Sequence, residues 1–304
     1  MARSKLTWTQ TSGVPGVAAE GVRGLARDQI GVVFQPIVDV STGRAFAFEA
    51  LVRCKDPRYP NPPALFEAAV KEEACGHLGR QIREVAFSTC GDNALFVNLH
   101  PQELASRWLV KPDDPISFHD RAVYLEITES AAFNHFDLCM DVLKEVGRRT
   151  GALLVIDDFG AGYSNIERVA DLEPAVVKLD LKISRDIHQR KTRQVVVRHM
   201  VNMCRELGAL VVGEGVETVD ELRCLRDLGV GYVQGYLLAR PAAPPPPHVW
   251  PADGPPVAPP PRKPPPPLPP KPKRSDRAPP RSSSAPSSRT TKPAPRPNKP
   301  APRG

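Results

Sequence analysis

Residues 153–165 read LLVIDDFGAGYSN: the apolar run Leu153, Leu154, Val155, Ile156 meets two adjacent carboxylates, Asp157 and Asp158, and then a glycine-punctuated loop. Such a run suits a strand buried on both faces, as in a parallel sheet under helices. Two like charges where that strand ends are costly to desolvate unless a cation offsets them, so the pair asks for a metal. Gly160 and Gly162 open backbone conformations closed to other residues, letting the loop move or bring its amides near a ligand. The plainer alternative is a solvated Asp-Asp turn that caps the next helix.

Short apolar segments at 32–38, 45–52, 94–99, 122–128, 153–157, 175–180, 209–213 and 230–234 are the elements that must position this pair. Helical patterns separate them: two within 64–90, a shorter one at 101–109, then 136–150, 190–207 and 219–228. Eight strands alternating with helices predict an α/β fold, a closed (β/α)8 barrel, with an open doubly wound sheet as the alternative. In such a barrel chemistry sits where the strands end, and these end on Gln35, Glu49, Asn98, Glu126, Asp157 with Asp158, Lys178, Glu214 and Gln234. Packing alone does not require eight polar groups on one rim.

Glu49, Asn98, Glu126, Asp157, Asp158 and Glu214 offer only oxygen, a donor set for Mg2+ or Mn2+ and not for zinc. Five carboxylates are balanced by Lys178 and two divalent cations, so a two-metal centre fits the charge. Two cations about 3.5–4 Å apart serve in-line displacement at a phosphoryl centre, the geometry of a phosphate-ester hydrolase. There Asp157 is expected to bridge, with Glu49, Asn98 and Glu126 on one metal and Asp158 and Glu214 on the other. Lys178 is expected to position or polarise the attacking water. Arg53 is the candidate phosphate contact through its planar donor fork, and a surface ion pair is its simpler role.

Glu49-Ala50-Leu51 followed by Arg53 resembles the signature of the EAL-domain cyclic di-GMP phosphodiesterases. Further motifs of that family follow in order: Phe34-Gln35-Pro36-Ile37, Leu125-Glu126-Ile127-Thr128-Glu129, Asp157-Asp158-Phe159-Gly160 with Gly162-Tyr163-Ser164, Lys178-Leu179-Asp180, Glu214-Gly215-Val216-Glu217 and Gln234-Gly235-Tyr236. The resemblance covers about residues 29–241. It implies a modified TIM-like barrel whose first strand is antiparallel, and hydrolysis of cyclic di-GMP to the linear dinucleotide. It further implies Gln35, Arg53 and Gln234 near the substrate, Glu129 steadying the loop after the Asp pair, catalytic roles for Lys178, Glu214, Glu49 and Asp157, and a homodimer formed through the barrel. The chain departs from the family's pattern at His100, where Ser is usual, at Ala161 and Asn165 in the loop, and at Cys54, where Trp is common. None of these removes a candidate ligand. A receptor that binds cyclic di-GMP without cleaving it is the alternative from another class, and a barrel hydrolase of another phosphodiester is a third. Asp158-Phe159-Gly160 also spells a protein-kinase tripeptide, but no glycine-rich loop or HRD motif accompanies it.

The chain divides into a leader (1–28), the barrel (29–241) and a proline-rich basic tail (242–304). From residue 243 onward lie 25 of the 36 prolines, and twelve Lys or Arg stand against Asp253 and Asp276. That stretch carries +10 of a whole-chain net charge of +7, leaving the rest near −3. A nucleic-acid-binding core is therefore not indicated. The tail is too poor in apolar residues to fold, so disorder with polyproline II segments is expected. PPPPLPPKPKR at 264–274 is a form that SH3-like grooves hold, and an anionic partner is the other option. Six cysteines without C-x-x-C spacing predict reduced thiols, and no secretion signal or spanning segment is evident, so a cytoplasmic protein is expected.

Overall fold

The computed structural model describes residues 21–105, 109–134, 136–160 and 166–251. Most of the leader, the loop at 161–165 and the tail from 252 lie outside the described residues.

Eight strands close into one barrel in chain order: β1 Ile30–Asp39, β2 Arg44–Cys54, β3 Leu95–Asn98, β4 Val123–Thr128, β5 Leu153–Phe159, β6 Val176–Leu179, β7 Leu210–Gly213 and β8 Tyr232–Val233. The helices are α1 Pro62–Lys71, α2 Cys75–Thr89, α3 Pro101–Ala105, α4 Glu129–Asn134, α5 Phe136–Thr150, α6 Ile166–Leu172, α7 Leu181–Ser184, α8 Lys191–Glu206 and α9 Val219–Asp227. β1 pairs antiparallel with both β2 and β8, and the remaining pairs are parallel. Gln35 therefore stands inside a reversed strand and not at a strand's C-terminal end, where the simple barrel rule puts it.

Side chains alternate along a strand, so residues two apart share a face. Inside the barrel this produces two stacked layers. The lower is apolar and forms one buried cluster: Ile37, Ala47, Phe96, Tyr124, Val155, Val176, Val212 and Tyr232. Two residues further along each parallel strand, and two residues earlier on the reversed β1, come Glu49, Asn98, Glu126, Asp157, Lys178, Glu214, Gln234 and Gln35. Phe46 completes the floor, 4.5 Å from Tyr232 and 5.6 Å from Tyr124 between ring centroids, while Phe96 stacks on Tyr124 at 4.3 Å. A larger apolar cluster fills the space between strands and helices.

Two flanking stretches pack on this frame. Val22 and Leu25, expected in the leader, are buried, and the Val22 amide donates to the Glu72 carboxylate at 2.9 Å. Residues 242–251, expected in the tail, return along β1: Ala242 and Phe34 exchange two backbone hydrogen bonds, His248 Nε2 lies 2.8 Å from the Gly43 carbonyl, and the Trp250 ring lies against Gly43. Among the described residues Cys54, Cys75, Cys90, Cys204 and Cys224 are free thiols, and no helix is long and apolar enough to cross a membrane.

Candidate active site

The upper layer opens at the mouth of the barrel and centres on Lys178. Its ammonium is fully buried, 2.6 Å from Glu214 Oε1, 2.7 Å from Glu126 Oε1, 3.2 Å from Asp157 Oδ1 and 3.4 Å from Glu49 Oε2. Burial alone would lower its pKa, but Asp157, Glu126, Glu214 and Glu49 overcome this and hold it well above the ordinary lysine value.

The regular alternation that builds the layer would send Asp158 to the opposite face from Asp157. The pairing of β5 with β6 shifts register between Ile156 and Phe159, and Asp158 takes the left-handed backbone (φ 56°), which aspartate tolerates better than most residues. Consequently carboxylate oxygens of Asp157, Asp158 and Glu214 lie within 4.8 Å of one another. Burial, then the charges of Asp157 and Asp180, raise the Asp158 pKa to about 6. Burial also lifts Glu214 to about 8 despite the proximity of Lys178.

Glu49 behaves oppositely. Burial pushes its carboxyl upward, but Lys178 and hydrogen bonds from Gln234 and Asn98 outweigh that and hold it below the usual range. Gln234 Nε2 donates to Glu49 Oε2 at 2.7 Å and to Gln35 Oε1 at 3.0 Å, and Gln35 Nε2 donates to the Ala239 carbonyl at 3.1 Å. Both glutamines are buried; Gln234 bonds Glu49 directly, and Gln35 bonds Gln234 and the Ala239 carbonyl. Asn98 Nδ2 donates to Glu49 Oε1 at 3.0 Å, leaving the carbonyl oxygen as this exposed side chain's remaining donor to a cation. Arg53 is exposed and its Nη1 donates to the neighbouring Val52 carbonyl at 2.8 Å, so it stands apart from the cluster. Glu129 Oε2 accepts from the Gly160 amide at 2.9 Å at the start of the loop. Asp180 is the participant that spacing alone missed: it caps α7 and faces Asp158. Its position two residues beyond Lys178, the period of the layer, was the available signal.

Residues of this kind fit divalent cations. Both Glu126 carboxylate oxygens are buried, and the one close cation, Lys178 at 2.7 Å from Oε1, is shared with three other carboxylates. Burial, with Glu49 and Asp157 adding to it, raises its pKa well above the ordinary value. An all-oxygen donor set whose formal charge, with every carboxylate ionised, exceeds Lys178 by four matches two hard dications.

The EAL domain family model matches residues 19–241. The cyclic di-GMP phosphodiesterase PdeR of Escherichia coli is 31% identical over 232 residues, 72% of this chain and 35% of that protein. The cyclic di-GMP phosphodiesterase PA2567 of Pseudomonas aeruginosa is 31% identical over 229 residues, 70% of this chain and 38% of that protein. The chain thus spans a little over a third of the length of these relatives. Among solved structures, the manganese and cyclic di-GMP complex of Klebsiella pneumoniae BlrP1 superposes with a TM-score of 0.62 at 32% identity, covering 73% of this chain and 58% of that one. With the antiparallel β1, the closed barrel and the ordered motifs, these matches show that the chain belongs to the EAL domain family.

Proposed function

We propose that this barrel hydrolyses cyclic di-GMP to linear pGpG, with two Mg2+ or Mn2+ ions held by Glu49, Asn98, Glu126, Asp157, Asp158 and Glu214. The observation that carries the proposal is a buried layer in which the single cation Lys178 is shared by Glu49, Glu126, Asp157 and Glu214, and which with Asp158 carries four formal negative charges in excess of it. The relatives named as cyclic di-GMP phosphodiesterases, and the BlrP1 complex with manganese and cyclic di-GMP, supply the substrate and the class of metal. Bound cations would supply an activated water and neutralise charge developing on the phosphoryl oxygens.

The chain's own groups divide the remaining work. Lys178, whose ammonium is held by four surrounding carboxylates, donates hydrogen bonds, offsets negative charge and orients a water. Glu49 stays ionised and is aimed by Gln234 and Asn98. Exposed Arg53 is assigned the phosphate contact, and Glu129 steadies the loop through Gly160. The receptor alternative has no observation in its favour, because every candidate ligand is present.

A homodimer formed through the barrel belongs to the proposal, supported by exposed Ile166 on α6 and Val195 and Val196 on α8. A cytoplasmic location is consistent with a nucleotide substrate, and the tail is assigned to an SH3-like or anionic partner. Full-length protein incubated with cyclic di-GMP and Mg2+ or Mn2+ should release pGpG on chromatography, and Asp157→Asn should not. Saturable binding without product would favour the receptor.

A further inference from the structure

A second cluster of buried charge lies outside the barrel and has no part in the chemistry proposed above. Arg83 on α2 is fully buried between two carboxylates: its Nη1 donates to Glu103 Oε2 at 2.7 Å, while Nε and Nη2 form a fork on Asp114 at 3.2 and 2.9 Å. Glu103 on α3 and Asp114 ahead of β4 are each 1% exposed. One turn before Arg83 on α2 is Gly79, where a Cβ would overlap the Glu103 carboxylate. A notch and a cation spaced i, i+4 on one helix face thus receive a single glutamate.

The triad carries a net negative charge, and replacing buried ion pairs with apolar groups of like size is often neutral or stabilising. Stability alone is a poor reason for it. Its contacts point to position. Glu103 Oε1 accepts the His100 amide at 3.1 Å, and the Glu103 amide donates to the His100 carbonyl at 2.8 Å, fixing the turn that leaves β3 two residues after Asn98. Within that turn His100 Nδ1 accepts from the Gln102 amide at 3.2 Å and the imidazole stacks on Phe66. Asp114 Oδ1 meanwhile accepts from the Ile116 amide at 3.1 Å, on the chain that leads into β4 and Glu126.

We propose that Arg83 and Glu103 are positioning residues that hold the turn after β3, and with it Asn98, in place beside Glu49. This rests on reading that rim as a cation site, and its test reads metal affinity separately from cleavage. Mn2+ is titrated into full-length protein by calorimetry for the wild type, Glu103→Gln, Asn98→Ala and the double variant. Loss of groups that orient a ligand typically weakens metal binding about 10- to 100-fold; acting here through the backbone, Glu103→Gln should raise the Mn2+ Kd about three- to tenfold. In the Asn98→Ala background the same substitution should change Kd no further, the non-additivity of two residues acting as one unit. A merely structural Glu103 gives independent effects, and additivity or an unchanged Kd overturns the inference. If Glu103→Gln does not fold, Arg83→Lys, which keeps the cation and loses the fork, carries the same cycle. A wild type that binds Mn2+ but releases no pGpG defeats the proposed function and leaves this test intact; a wild type that binds no Mn2+ overturns both.

Discussion

Glu126 shows how a single side chain can be wrong for the fold and right for the site. A fully buried carboxylate that shares its one close cation, Lys178, with three other carboxylates is costly, and burial, with Glu49 and Asp157 adding to it, raises its pKa well above the ordinary value. Glu126→Gln removes this buried charge at nearly constant shape, so it should leave the metal-free Tm within a few degrees of wild type while abolishing both Mn2+-induced stabilisation and pGpG release. A Tm loss above roughly 8 °C, about 2 kcal/mol or more in a domain of this size, would contradict this. Glu214 and Asp158 add a pH signature. Their folded pKa values of about 8 and about 6 exceed ordinary carboxylate values, so the folded chain binds more protons than the unfolded one in between. The stability these groups contribute to the metal-free protein should therefore be fully present below about pH 4 and be lost progressively towards pH 8. Cations displace those protons, so the Tm gain from Mn2+ should grow over the same window; differential scanning fluorimetry with and without the ion checks both slopes.

Elements explain why some residues were legible in the sequence and others were not. The eight polar positions could be read from the ends of apolar runs because the two-residue period of a strand is visible in one dimension. That Gln234 bonds both Glu49 and Gln35 could not be read, since these contacts join positions 185 and 199 residues apart in the chain. The β5 register shift was equally hidden: Asp157-Asp158 advertises two carboxylates, but only the left-handed Asp158 backbone turns both towards Glu214. Val at 158 should therefore destabilise the fold by about 1–2 kcal/mol more than Asn, which tolerates that conformation, although both remove a ligand; chemical denaturation measures the difference. Gly235 makes a parallel case after β8. A Cβ there would overlap the Val216 backbone on the stretch that follows Glu214. Gly235→Ala should cost about 3 kcal/mol and weaken Mn2+ binding as well, because rigid backbone cannot yield as a flexible side chain can.

At the scale of the whole molecule, composition located the change near residue 241 but not the folded edge, because a proline-rich stretch can pack without regular structure. Ala242, His248, Val249 and Trp250 each contact the barrel or the turns beside it. A chain ending at 241 should melt about 4–8 °C below one ending at 251, corresponding to roughly 2 kcal/mol for the lost contacts. Equal melting temperatures would mean these ten residues add nothing. The aromatic floor has a consequence for traffic. With Phe46, Phe96, Tyr124 and Tyr232 packed across the interior, the barrel is a bottle and not a tube. Whatever reaches the charged layer enters and leaves by one neck, so a reaction there has to be emptied before it can be refilled.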